Sequence, residues 1–241
     1  MKHFNKLLSI GVIVAIIFSS VPVPVSAQVS AQKNKQDYQI EDNKDSRIVT
    51  GKTTEGAYEF NYNKITNEIT YSLYSNTNNE LISSNTVDID DFASSESEPE
   101  NSAISSRAST TNESTYSNWE YTITHGTTNS YELRSPGPGL FDTYYFNTRM
   151  WVGYNDAYIY RFINAVEEIN TIEGVIVASL GLSVVLAGVS IVLSGGLAAP
   201  FWGAYIAALT ADSTAIGLGF ALDSQCNIAS ANYWDTFYHQ Y

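Results

Sequence analysis

Residues 174–194 read GVIVASLGLSVVLAGVSIVLS, twenty-one residues without a charged side chain or a proline, and the uncharged segment continues to Ala211. A helix of this length is about 30 Å long, roughly the thickness of the hydrocarbon core of a bilayer. Gly195 and Gly196 interrupt the run. Pro200 suits the first turn of a second helix, where its missing N–H costs nothing. We therefore predict a hydrophobic helical hairpin over residues 171–222 with its corner at residues 195–200.

Small residues recur regularly in this segment. Gly174, Gly181, Gly188 and Gly195 are seven residues apart, which places them on nearly one face of a continuous helix. Such a face lets another backbone approach closely, as in helix association in lipid. Two interpretations stay open, because periodicity does not separate them: the hairpin enters a membrane at some stage, or it is the core of a soluble domain.

Aromatic residues are concentrated in the second half of the chain. Twelve of the seventeen tyrosines and all four tryptophans follow Arg107. Trp202 and Tyr205 are expected to flank the hairpin corner, and five more aromatic residues lie between Tyr233 and Tyr241. These rings suit a bilayer interface, a protein core or a sugar-binding surface.

The overall charge narrows the range of partners. The chain has 25 acidic and 12 basic residues, and all seven lysines lie at or before Lys64. We expect no nucleic-acid partner, because phosphate contacts require a basic face. The scarcity of cations also argues against simple electrostatic attraction to anionic lipid. Cys226 is the only cysteine, so an intramolecular disulfide is excluded, and we expect the thiol to be buried.

The N-terminus has the three parts of a secretory signal peptide, predicted over residues 1–27. Lys2 and Lys6 precede an apolar run at residues 7–18, and Val-Ser-Ala at residues 25–27 offers a cleavage site. We predict secretion with cleavage after Ala27, or alternatively after Ala31.

Residues 28–87 are predicted to form a β-rich pro-region. Tyr58, Phe60 and Tyr62 alternate with polar residues, as do Ile69, Tyr71 and Leu73, and this spacing is typical of a β-hairpin. Another strand is predicted over residues 81–89.

Residues 88–118 are predicted to be a disordered acidic and Ser/Thr-rich linker. Six of the thirteen residues 88–100 are acidic, a composition that cannot bury enough apolar surface to fold. Arg107 is an isolated basic residue and a candidate site for propeptide cleavage, which would release residues 108–241. The alternative is a linker that stays intact.

Residues 119–241 are predicted to form a membrane-active C-terminal domain with short strands and the helical hairpin. The alternation of Trp119, Tyr121 and Ile123 predicts a strand, and a return strand is expected near Leu133. Apolar residues at helical spacing predict an amphipathic helix that begins at Asn155 or Asp156. Asn170 and Glu173 resemble a capping box that would start the hairpin immediately afterwards. The predicted fold class is therefore α+β.

Catalytic signatures are absent from the sequence. There is no His-x-x-x-His pair or cysteine pair for a metal, no nucleophile elbow and no phosphate-binding glycine loop. Cys226 could be drawn as a dyad with His125 or His239, but one pair chosen from so few residues carries little information. We expect no enzyme activity, catalytic residue, metal or cofactor.

The order of signal peptide, acidic pro-region and apolar hairpin at residues 174–221 resembles that of the geobacillin-type, large unmodified bacteriocins of Gram-positive bacteria. The hairpin is also similar in architecture to the insertion hairpin of colicin-type pore formers. The resemblance implies a secreted antibacterial, pore-forming protein that permeabilises the target membrane. Membrane lipid is then the expected partner, with a protein receptor, an immunity protein and self-association as further options. The alternative is a secreted binding or cell-surface protein whose hairpin is only a buried core.

Overall fold

The computed structural model describes residues 38–53, 56–93, 110–136, 143–194 and 201–239. Ala27, Ala31 and Arg107, the predicted processing sites, lie outside these residues, as do the hairpin corner residues Gly195, Gly196 and Pro200. The described chain is a mixed α+β structure with two antiparallel sheets and four helices, so the predicted class is confirmed.

Sheet 1 is a five-stranded antiparallel meander in which each strand pairs with the next along the chain. The predicted hairpin is confirmed, with Asn63 opposite Glu68 across the turn. Tyr58, Phe60 and Tyr71 are buried on one face, as the alternation requires. The strands are β1 (Tyr38–Asp42), β2 (Ser46–Lys52), β3 (Ala57–Asn63), β4 (Glu68–Tyr74) and β5 (Leu81–Asp88).

Both described ends of the predicted linker are structured. Asp88 caps a 3₁₀ turn at Ile89–Phe92 by accepting a hydrogen bond from the backbone N–H of Asp90. At the other end, residues Thr110–Ser114 form strand β6 of sheet 2. Polar composition predicted disorder for both segments, but backbone pairing with neighbouring elements orders them, so the prediction is wrong for these residues.

Sheet 2 is a four-stranded antiparallel meander of β6, β7 (Glu120–Thr124), β8 (Ser130–Pro136) and β9 (Thr143–Arg149). The strands predicted around Tyr121 and Leu133 are confirmed as β7 and β8. Strand β9 is at the edge of the sheet, and its mixed pattern had not predicted a strand.

The four helices are α1 (Asp156–Leu180), α2 (Leu182–Ser194), α3 (Trp202–Leu209) and α4 (Ser213–Tyr238). Helix α1 begins where predicted, but it continues through Asn170 and Glu173, so the capping box there is wrong. Gly181 separates α1 from α2 because its φ of +100° is incompatible with a helix. The single helix predicted over residues 174–194 is therefore wrong. The second hairpin helix is also divided, because residues 210–212 separate α3 from α4.

The two sheets cover different helices. Helices α1 and α4 pack along each other, and sheet 2 packs against them. Strands β1, β2 and β3 of sheet 1 contact α3, while β5 and the 3₁₀ turn contact α2. Helix α3 also packs on α4, so it lies between sheet 1 and α4. The long predicted hairpin is thus replaced by a short uncharged helix pair beneath sheet 1.

Candidate functional site

Helices α2 and α3, which we call the apolar pair, differ in burial: α3 is almost completely buried, whereas the described residues of α2 alternate between buried and partly buried. Every residue from Phe201 to Ala208 is buried. On the sheet 1 side, the ring centroid of Phe201 lies 4.9 Å from that of Tyr58 and 5.7 Å from that of Tyr71. The Tyr205 hydroxyl donates a 2.8 Å hydrogen bond to the carbonyl oxygen of Val184, which joins α3 to α2. The part of the predicted membrane hairpin that forms α3 is thus covered by sheet 1, which belongs to the predicted pro-region.

Three glycines allow the helices to approach closely. A Cβ atom on Gly188 would lie 2.5 Å from Cζ3 of Trp202, and one on Gly203 would lie 2.1 Å from Cδ1 of Phe220. A Cβ atom on Gly219 would lie 2.7 Å from the backbone oxygen of Trp202. These spacings are too short for any side chain, so all three positions require glycine for the packing observed.

The glycine face predicted from the seven-residue spacing is wrong for Gly174 and Gly181, whereas Gly188 does pack closely and Gly195 lies outside the described residues. Gly174 is exposed and a Cβ atom on it would meet nothing within 4 Å, while Gly181 ends a helix instead of packing within one. Gly203 and Gly219 make close contacts but lie outside the regular series. Residues seven apart share one face only if the helix is continuous, and the helix is broken at Gly181.

Asp223 of α4 holds the first turn of α3. Its Oδ1 accepts a hydrogen bond from the backbone N–H of Trp202 at 2.6 Å, and its Oδ2 accepts one from the N–H of Gly203 at 3.0 Å. Phe201, the residue at the N-cap position, offers no side-chain cap. The carboxylate therefore satisfies two N–H groups that a helix start leaves unpaired, and the positive end of the helix dipole faces it.

Glu173 of α1 is a second buried carboxylate that accepts two backbone hydrogen bonds, in this case from sheet 2. From the C-terminal half of α1 it accepts hydrogen bonds from the backbone N–H groups of Tyr116, at 2.7 Å, and Ser117, at 3.0 Å. Both residues belong to the turn between β6 and β7. Glu173 is completely buried. It therefore fastens sheet 2 to α1, which is the physical reason that the capping-box prediction failed for this residue.

Neither buried carboxylate has a basic partner among the described residues, whose salt bridges all involve Arg47, Lys64 or Arg134. Burial raises the pKa of Glu173 and that of Asp223 to about 7, and the hydrogen bonds that they accept lower these pKa values in part. Burial also raises the pKa of the Cys226 thiol, and both carboxylates add to this effect. The expected burial of Cys226 is confirmed, and a thiol held protonated is a poor nucleophile.

Stability is expected to fall as the pH rises from about 5 to about 8, by on the order of 3 kcal/mol. The pKa values of Glu173 and Asp223 are higher in the folded than in the unfolded chain. Their contribution is therefore fully present below the unfolded pKa near 4 and is lost as the pH passes the folded pKa near 7. Urea titrations across this pH range measure the slope. The double variant Glu173→Gln/Asp223→Asn should flatten it, and an unchanged slope would show that other groups cause it.

Histidine and acidic side chains are the remaining candidates for a dyad or a metal site in the described part of the chain. His125 lies beside the hydroxyl of Thr111, and the His239 ring contacts Tyr158, so both rings have other neighbours. No described group of three or more His, Cys, Asp or Glu side chains could hold a metal ion.

Within the described ranges, no helix is both long and apolar enough to cross a bilayer. Comparison of the chain with protein-family models, with curated proteins and with solved structures found no match.

Proposed function

We propose that this chain is a secreted antibacterial protein of the bacteriocin class that permeabilises the target-cell membrane with its apolar pair. The observation that carries the proposal is the packing of an uncharged helix pair, of which α3 is almost completely buried, against a separate sheet. A membrane-active segment must be kept from water until it reaches lipid, because its exposed apolar surface would otherwise drive aggregation. Sheet 1 supplies such a cover.

Removal of the cover would follow from cleavage at Arg107. The sequence between sheet 1 and β6 contains this single basic residue. Cleavage there would break the covalent link between residues 38–88 and the helices, so that sheet 1 could dissociate from them. Loss of sheet 1 would remove the rings of Tyr58, Phe60 and Tyr71 from Phe201 and Tyr205. The N-terminal half would then act as a propeptide that keeps the apolar pair covered.

Insertion would require residues 174–194 to straighten into one helix. Glycine adopts both positive and negative φ readily, so the break at Gly181 can be removed without steric cost. The straightened helix would be about 30 Å long and would match the hydrocarbon core. Lipid is the partner in this proposal. A receptor would direct an acidic protein to its target, an immunity protein would protect the producer, and self-association would enlarge the pore.

The second candidate is a secreted binding or cell-surface protein whose apolar pair stays buried. The complete burial of residues 201–208 favours it, because such burial is also what a permanent core requires. The two candidates differ in what happens to the apolar pair after secretion.

Growth inhibition of closely related strains separates the candidates. We expect the secreted wild-type protein to inhibit growth and to carry a new N-terminus after Arg107, whereas Arg107→Gln is secreted equally but does not inhibit. Lys52→Gln is the matched control, because Lys52 is exposed and forms no salt bridge among the described residues. If Arg107→Gln inhibited growth as strongly as the wild type, cleavage at Arg107 would not be required for activity. A wild-type protein that neither inhibits cells nor releases dye from liposomes, cut or intact, would favour the second candidate.

A further inference from the structure

One end of the molecule exposes a cluster of aromatic side chains. We define the aromatic end by residues on β9, on the turn before α1 and on the last turns of α4. Trp234 lies at its centre, with its ring centroid 6.0 Å from that of Tyr144 and 6.3 Å from that of Tyr238. Its members are Tyr144, Trp151, Val152, Tyr154, Trp234, Phe237 and Tyr238, all of which are exposed.

The composition of this surface differs from that of other exposed apolar positions. Six of the seven members are Trp, Tyr or Phe. Among the other described residues, the exposed large apolar side chains are Tyr145, Tyr160 and five aliphatic ones: Ile40, Ile65, Leu81, Ile82 and Ile228. Scattered apolar residues are normal on a protein surface, but exposed rings that contact one another indicate a binding partner. The rings of Trp234, Phe237 and Tyr238 contact one another, and the turn before α1 joins them through Tyr154, whose ring centroid lies 5.9 Å from that of His239. Trp and Tyr are the residues that prefer the boundary between lipid and water.

The charge of this end also differs from that of the whole chain. Residues 143–162 and 227–239 contain Arg149, Arg161, Asp156 and Asp235, so they carry no net charge, whereas the chain has a formal charge of −13. Arg149 and Arg161 are exposed, and neither forms a salt bridge with a described residue. An anionic surface is therefore repelled less by this end than by the acidic remainder of the protein.

We infer that the aromatic end docks the intact protein on a lipid bilayer, with its rings at the headgroup level. This inference rests on the proposed function and adds to it the surface that contacts the membrane before the apolar pair is uncovered. The rings would place their apolar edges against the acyl chains, and the hydroxyl and indole N–H groups would stay in the hydrated layer. Arg149 and Arg161 would contact lipid phosphates. Docking needs no cleavage, since the aromatic end is exposed while sheet 1 is in place.

The test measures binding of the intact secreted protein to phosphatidylglycerol vesicles by co-sedimentation. The triple variant Trp151→Ser/Val152→Ser/Tyr238→Ser removes side chains that are 58%, 91% and 73% exposed, so the fold should survive. We expect its affinity to fall about tenfold or more, because transfer of these groups to the interface is lost. The matched control is Ile65→Ser/Leu81→Ser/Ile82→Ser, whose side chains are 74%, 57% and 56% exposed on sheet 1. The control should bind like the wild type.

Tryptophan fluorescence gives a second reading of the same contact. Trp119 and Trp202 are buried, whereas Trp151 and Trp234 are exposed. A shift to shorter wavelength on adding vesicles should therefore come from the exposed pair, and it should vanish in Trp151→Phe/Trp234→Phe while binding persists.

The outcomes distinguish docking from permeabilisation. Binding that the triple variant loses, without dye release from cut protein, supports docking and contradicts the proposed function. Dye release that the triple variant keeps in full contradicts docking and leaves the proposed function intact. Equal vesicle affinity of the triple variant and the control would overturn the inference. So would binding to purified cell-wall polysaccharide with no binding to vesicles, which would assign the rings to a glycan.

Discussion

Replacing Gly219 by alanine is expected to lower the free energy of unfolding by about 3 kcal/mol. The added Cβ atom would lie 2.7 Å from the backbone oxygen of Trp202 and 2.9 Å from Cα of Gly203. Both atoms belong to the backbone of α3, so no side-chain rotation relieves the overlap, and α3 must move away from α4. Urea denaturation followed by far-UV circular dichroism measures the effect.

Gly217 in the same helix supplies the control. A Cβ atom there would meet nothing within 4 Å. Gly217→Ala should therefore raise stability by about 1 kcal/mol, because alanine favours the helix over glycine. Opposite signs for the two alanines would support close packing of α3 on α4. Two alanines that both stabilise the protein would mean that α3 does not pack at this distance.

Asp223→Ala is expected to lower the free energy of unfolding by a similar amount, about 3 kcal/mol, because buried hydrogen-bond donors lose their carboxylate acceptor. The change leaves the backbone N–H groups of Trp202 and Gly203 buried and without the carboxylate that they donate to. Asp223→Asn keeps one acceptor oxygen and should lie between the wild type and alanine.

Asp235→Ala on the exposed side of the same helix is the matched control, and it should change the free energy of unfolding by no more than about 0.5 kcal/mol. Hydrogen exchange at α3 provides a local measurement, since loss of the cap should speed exchange in this helix first. Equal stability of Asp223→Ala and Asp235→Ala would refute the anchoring role of Asp223.

The strands were predictable where one face is buried and the other is solvated. Tyr58 and Phe60 alternate with polar residues, and the structure buries them as that pattern requires. Strand β9 was not predicted, because two exposed aromatic residues, Tyr144 and Tyr145, are adjacent in this edge strand. When both faces of an edge strand carry large rings, period-two alternation disappears from the sequence.

The helix boundaries depended on tertiary contacts that hydropathy does not contain. Asn170 and Glu173 looked like a capping box because a polar N-cap residue followed three positions later by Glu is the signature of a helix start. The hydrogen-bond partners of Glu173 are Tyr116 and Ser117, which lie more than fifty residues away. The positive φ of Gly181 is likewise invisible in composition, since glycine inside a helix and glycine at a break look the same.

The candidate site was predicted in part. The sequence singled out Gly188, Trp202 and Tyr205 as residues of a membrane hairpin; the structure brings these three together, while their role in a membrane stays a prediction. Asp223 was missed as an anchor, although a signal existed: it is one of only three acidic residues after Glu173 and it lies in an apolar stretch. An acid in such surroundings needs hydrogen-bond donors, and the start of a neighbouring helix supplies them.

Fluorescence quenching of Trp202 by lipids brominated on their acyl chains tests most directly whether the apolar pair leaves its cover for the bilayer. The other three tryptophans are replaced by phenylalanine, so that only this buried side chain reports. Intact protein on vesicles should show little quenching, because Trp202 stays beneath sheet 1. Protein cleaved at Arg107 should show strong quenching together with dye release. Trp202 fluorescence that stays unquenched after cleavage, on vesicles that the protein binds, would show that the apolar pair is a permanent core.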